Sequence, residues 1–217
     1  MRAVVFVNGV VDDYEALRRW LQPGDYLVCA DGGTRHCLAL GLTPDVVVGD
    51  LDSVDPPVLQ QLAASGVRVE RHPTDKDQTD LELAIEAALV AGADQVLLLG
   101  ALGGRLDQTL ANLLILAQRP WPVPIRLAEG RQIAQMLRSG QELTLDAPPG
   151  STVSVLPLSA QVTGITYTGL KYALTGATLK LGSTRGISNL VVSSPVTIRI
   201  GTGLLLVVTE ASTVQWR

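Results

Sequence analysis

At 217 residues, 47% of them apolar and 18% charged, the chain has an ordinary globular composition and enough length to bury a sizeable core. A net charge of −4 without a Lys/Arg run argues against a nucleic-acid partner, and two histidines against both a His-rich zinc site and a Ser-His-Asp triad. Cys29 and Cys37 read as reduced core thiols, which fits a cytoplasmic protein.

The start, residues 1–7, is interrupted by Asn8-Gly9 and reads as a first buried strand rather than a secretory signal. Further short Val/Leu-rich runs predict strands at 26–30, 46–48, 67–71, 95–99 and 125–128. Helical spacing falls between them at 13–21, 34–40, 56–65, 77–91 and 105–118. Continuous apolar strands alternating with amphipathic helices predict a mostly parallel sheet covered on both faces. Gly41, Gly66 and Gly92 stand where helix C-caps belong. From about residue 141 the texture changes to short Thr/Val/Ile/Leu stretches cut by glycines, which predicts an antiparallel β-sandwich or barrel. The expected domains are therefore an α/β domain over 1–140 and a β domain over 141–217. The apolar run at 204–208 is far shorter than the roughly 20 residues of a membrane-spanning helix, so no membrane partner is expected.

Ligands of open α/β sheets bind outside the carboxyl ends of the strands, so the residues after each strand carry the chemistry. After 46–48 comes Gly49-Asp50-Leu51-Asp52-Ser53. In extended backbone Asp50 and Asp52 project to one side and can share a hard cation. Neither is needed as a cap, because Asp55 before Pro56-Pro57 starts the next helix. After 67–71, Lys76, Asp77 and Asp80 allow two readings. Asp77 can be an N-cap and Asp80 the third helical residue, or the set can serve as metal and phosphate ligands. After 95–99, Gly100-Ala101-Leu102-Gly103-Gly104-Arg105 can bring backbone N–H groups and a guanidinium to a phosphate. Asp31-Gly32-Gly33, after 26–30, is a similar turn, or simply a tight strand-to-helix connection.

ADGG at 30–33, GDLDS at 49–53, PTDKDQTD at 73–80 and GALGGRLDQTLAN at 100–112 occur in the order found in thiamin pyrophosphokinases. GLKY at 169–172 and TRGISN at 184–189 are similar to the later motifs of that family. The resemblance implies an N-terminal α/β domain for ATP, a C-terminal β-sandwich, and a homodimer with thiamin between subunits. It implies a Mg²⁺-dependent reaction in which the thiamin hydroxyl takes a diphosphate from ATP and AMP is released. Carried over motif by motif, it implies that Asp50, Asp52 and Asp80 hold Mg²⁺, with Lys76 and Asp77 beside the polyphosphate. Asp31, Gly32, Gly100, Gly103, Gly104, Arg105 and Asp107 would hold ATP, and Lys171, Ser188 and Asn189 would meet thiamin. Asp80 or Asp77 is the candidate to take the hydroxyl proton. Leu190-Val191-Val192 departs from the aromatic or acidic residue that members often carry after the Ser-Asn pair. A pterin-alcohol pyrophosphokinase on the same scaffold and a non-catalytic nucleotide or thiamin binder are the rival readings.

Overall fold

The computed structural model describes residues 1–210 and the backbone of Gln215–Trp216. Its contacts divide the chain into two units, Met1–Gly130 and Arg131–Arg217.

In the first unit six strands pair in parallel: β1 (Arg2–Phe6), β2 (Tyr26–Ala30), β3 (Val46–Gly49), β4 (Arg68–Arg71), β5 (Gln95–Leu99) and β6 (Ile125–Glu129). Their order is β6-β5-β1-β2-β3-β4. Ala3, Val4, Val5 and Phe6 of β1 are all fully buried, as a strand covered on both faces requires. β4 lies at the edge, where an ion pair of 2.8 Å between Arg68 and Glu70 replaces the apolar run.

Five helices connect the strands: α1 (Tyr14–Arg18), α2 (Thr34–Ala39), α3 (Pro56–Ala64), α4 (Asp80–Val90) and α5 (Leu106–Gln118). Gly41, Gly66 and Gly92 follow three of them with positive φ. α4 packs across β1, β2 and β3, which explains why six of its eleven residues are buried. Its start differs from the expectation. Thr79, not Asp77, is the N-cap: its hydroxyl accepts from Glu82 N–H at 3.3 Å, and Asp80 is the first helical residue rather than the third. The Thr79-Asp80-Leu81-Glu82 spacing is that of a capping box.

The second unit is all β. One antiparallel sheet runs β12 (Asn189–Leu190), β9 (Thr152–Pro157), β14 (Leu204–Glu210), β7 (Gln132–Arg138). The other runs β11 (Ala177–Lys180), β10 (Gln161–Thr168), β13 (Val196–Arg199), β8 (Glu142–Asp146), β15 (Gln215–Trp216). Val153, Val155, Leu205 and Val207 from the first sheet share a core with Leu143, Leu145, Ile165 and Ile198 from the second. Alternate residues therefore face inward from both sheets, which makes the unit a sandwich. β7 pairs with β14 along its whole length, so the residues just before Gly140 go with the β unit. This moves the division ten residues ahead of the expected one. No helix among the described residues is long and apolar enough to cross a membrane.

Candidate active site

The strand order reverses between β1 and β5: the chain leaves β1 toward β4 and returns to β5 on the other side. Loops that diverge at such a point leave a crevice at the carboxyl ends of the strands. Here a cleft of about 450 Å³ opens there, lined by residues following β1, β2, β3, β4 and β5.

Its acidic wall is built by two tight turns. Asp31 opens a short 3₁₀ turn after β2 with φ of 44°, held by the Thr34 hydroxyl donating to its carbonyl at 2.7 Å. Leu51 has φ of 66°, which turns the chain between Asp50 and Asp52. Left-handed backbone at non-glycine residues is costly and collects where a site needs it. Carboxylate oxygens of Asp31, Asp50 and Asp52 all lie within 4.8 Å of one another. Ser53 N–H donates to Asp31 at 3.4 Å, and the Ser53 hydroxyl donates to Asp52 at 2.9 Å. Three converging carboxylates, one buried, with no sulfur or imidazole, suit a hard cation such as Mg²⁺.

Among the described residues Asp31 groups with Asp50 and Asp52, and Asp80, the third expected ligand, lies outside that group. Asp80 lines the same cleft, but its Oδ1 lies 2.9 Å from Lys76 Nζ in an ionic contact without hydrogen-bond geometry. Lys76 also donates to the Pro73 carbonyl at 3.0 Å, so the ammonium is held over the cleft at both ends. Asp77 is exposed and is not among the lining residues. Gly49 is required by close approach: a Cβ there would lie 3.0 Å from Asp31 Cβ and 3.1 Å from Asp80 Oδ1.

On the opposite side Gly103 and Arg105 line the cleft, whereas Gly100, Gly104 and Asp107 do not. Asp107 instead pairs with Arg105 at 2.6 Å. The hydrogen bond from Arg105 holds the Asp107 carboxyl below its ordinary range, and the same bond raises the guanidinium. Thr109 Oγ1 donates to the Gly103 carbonyl at 3.2 Å and Asn112 Nδ2 to Ala101 O at 2.8 Å, which pins the turn to α5. Gly32 does not line the cleft either; it makes room for Asn8, whose carboxamide would lie 2.5 Å from a Cβ placed there.

Asn8, Gly9, Gln108 and Asn112 line the cleft and were not singled out from sequence. The rule that exposed the other loops reaches Asn8-Gly9 as well, since they follow the first strand. Arg105, Gln108 and Asn112, three and four residues apart, share one side of α5, a spacing that reading for glycines passes over.

Residues 17–123 match the family described as thiamin pyrophosphokinase, catalytic domain, and residues 141–205 match its vitamin B1 binding domain. The thiamine pyrophosphokinase of Bacillus subtilis is 31% identical over 179 residues, covering 82% of this chain and 84% of that protein. The chain belongs to the thiamin pyrophosphokinase family. The crystal structure of the Bacillus subtilis thiamine pyrophosphokinase superposes with a TM-score of 0.85 at 28% identity, covering 98% of this chain and all of that one. That of the Geobacillus thermodenitrificans thiamin pyrophosphokinase gives 0.82 at 29% identity, covering 98% and 99%.

The part matching the vitamin B1 domain brings together motifs that are distant in sequence. Asn189 is buried, and its carbonyl accepts from the backbone N–H of Tyr172 and of Leu190, each at 3.0 Å. Its Nδ2 donates to Tyr172 O at 2.9 Å. The carboxamide oxygen and nitrogen both bond to backbone, so Asn189 holds the 171–172 segment in place. Ser188 is exposed with φ of 57°, and its N–H donates to Ser154 Oγ at 3.0 Å. Lys171 Nζ lies 5.5 Å from the ring centroid of the exposed Tyr172. A cation and an open aromatic face therefore flank the Ser-Asn turn.

Proposed function

We propose that this chain transfers the diphosphate of ATP to the hydroxyl of thiamin, releasing AMP and giving thiamin diphosphate. The observation that carries this reading is the match of one chain to both the catalytic and the vitamin B1 binding parts of the family. In this reading residues 1–130 hold the nucleotide and the β unit from Arg131 on takes thiamin. The enzyme acts as a cytoplasmic homodimer, with thiamin between subunits.

Mg²⁺ fits the oxygen-only cluster of Asp31, Asp50 and Asp52. Bound there, it would screen polyphosphate charge from the carboxylates and polarise phosphoryl oxygens. The chain's own part is positioning and electrostatics. Lys76, oriented by Asp80, and Arg105, oriented by Asp107, face the cleft from the loops after β4 and β5. They stabilise the negative charge that collects on the α-phosphate as AMP leaves. Asp80, the acid of the cleft outside the metal cluster, is the group available to accept the proton of the attacking hydroxyl.

The test follows AMP release with ATP and Mg²⁺ and, in turn, thiamin and a hydroxymethyl pterin. Release stoichiometric with thiamin diphosphate is expected for thiamin alone. Turnover with the pterin only, or tight thiamin binding without turnover, would overturn the reading.

A further inference from the structure

β1 ends at the reversal of strand order, between β5 on one side and β2 and β3 on the other. The cleft residues supplied by its neighbours differ in charge. The turns after β2 and β3 bring the Asp31, Asp50 and Asp52 carboxylates, and the turn after β5 brings Arg105. A polyphosphate engaging both a cation on the acidic cluster and the guanidinium must pass the carboxyl end of β1. Asn8 stands there, lining the cleft, and its carboxamide has no hydrogen-bond partner among the described residues.

The backbone that carries Asn8 is fixed from several sides. Gly9 N–H donates to Gly100 O and Val10 N–H to Leu102 O, both at 2.8 Å, which laces the loop after β1 to the loop after β5. The Gly9 carbonyl accepts from Arg35 Nη2 at 2.7 Å and contacts the buried His36 ring at 3.0 Å. A Cβ at Gly9 would lie 2.2 Å from Leu102 O, so this packing requires glycine. Gly32 supplies the floor under the side chain, since a Cβ there would collide with the amide carbon, nitrogen and oxygen of Asn8. Asn8 is exposed, so its carboxamide is open to a ligand entering the cleft, while the fixed backbone and the Gly32 floor limit where it can sit.

We infer that the Asn8 carboxamide donates a hydrogen bond to the polyphosphate of the donor nucleotide, and that Gly32 is a glycine in order to let it do so. The inference rests on the reading of the cleft as a nucleotide site and adds a contact to it. A neutral donor suits this position: it binds a phosphate oxygen without placing a further charge beside the metal-binding carboxylates.

The test measures affinity without thiamin, by calorimetry, for Mg-ATP, Mg-tripolyphosphate and adenosine. Asn8→Ala is expected to weaken Mg-ATP and Mg-tripolyphosphate alike by about tenfold and to leave adenosine unchanged. Asn8→Asp, nearly the same shape but negatively charged, is expected to weaken both further. It carries the test alone if Asn8→Ala does not fold. Gly32→Ala should reproduce the Asn8→Ala loss, and the double variant should be no weaker than either single one. Polyphosphate affinities of the Asn8 variants within about twofold of the parent, or a loss seen with adenosine, would overturn the inference. A parent protein that binds nucleotide normally but releases no AMP with thiamin would sink the proposed reaction and leave Asn8 standing. A parent that binds neither Mg-ATP nor tripolyphosphate would sink both.

Discussion

Asp31 and Asp80 sit differently in the cleft. Both lie beside Gly49, but Asp31 enters the carboxylate cluster through a left-handed backbone, while Asp80 points at Lys76. The two should therefore respond differently to removal of one charge. Asp31→Asn and Asp52→Asn are expected to lower turnover by several orders of magnitude and to raise the Mg²⁺ requirement by more than about tenfold. Asp80→Asn should slow turnover and leave the Mg²⁺ requirement near that of the parent, because Lys76 loses its partner and the metal loses nothing. Steady-state rates against Mg²⁺ concentration, with the thermal midpoint of each variant alongside, check this. An Asp80→Asn enzyme needing far more Mg²⁺ would return Asp80 to the ligand set.

Among the elements, α4 separates a structural from a chemical use of its polar N-terminus. Thr79 caps the helix, Glu82 supplies the acid of a capping box, and Asp80 is free to turn toward the cleft. Asp77, two residues ahead of the cap, is exposed. Thr79→Ala is expected to cost about 1 kcal/mol of stability, and Asp77→Ala to stay within about 0.5 kcal/mol of the parent. Urea unfolding measures both. The reverse order would restore the cap to Asp77. α5 is likewise used on one side: Arg105, Gln108 and Asn112 line the cleft, and Asn112 and Thr109 fasten the glycine turn that precedes the helix.

At the scale of the whole molecule, the phosphate-type groups lie in residues 1–130, and the Lys171, Tyr172 and Asn189 assembly lies in the β unit. If thiamin is held between subunits, each site takes its acceptor side from the partner's β unit. Chains carrying Asp52→Asn and chains carrying Asn189→Ala, each inactive alone, should then recover activity when mixed. One site of the heterodimer escapes both substitutions, so up to about half of the parent activity per heterodimer is expected. Asn189→Ala acts here by releasing the Tyr172 backbone, and its thermal midpoint must show that the sandwich survives. Sedimentation reporting an active monomer, or no recovery under conditions where subunits exchange, would defeat the interchain arrangement.

The parallel sheet, the helices between its strands and the change to antiparallel β were legible in the chain because they rest on local patterns. Continuous Val/Leu runs such as Val46-Val47-Val48 bury both faces of a strand, and alternation such as that of Thr152–Pro157 buries one. The site was legible wherever its residues follow a strand within one short motif, as Asp50 and Asp52 do. What sequence spacing could not rank is which acids from different loops meet. Asp31 reaches Asp50 across adjacent strands, and only the left-handed turns at Asp31 and Leu51 bring their oxygens together. The pairing of Asn189 with Tyr172 likewise depends on β12 and the preceding loop meeting in space. Local pattern decides which face of an element is buried. Convergence of side chains from separate loops depends on strand order and backbone twist, and these are properties of the assembled sheet.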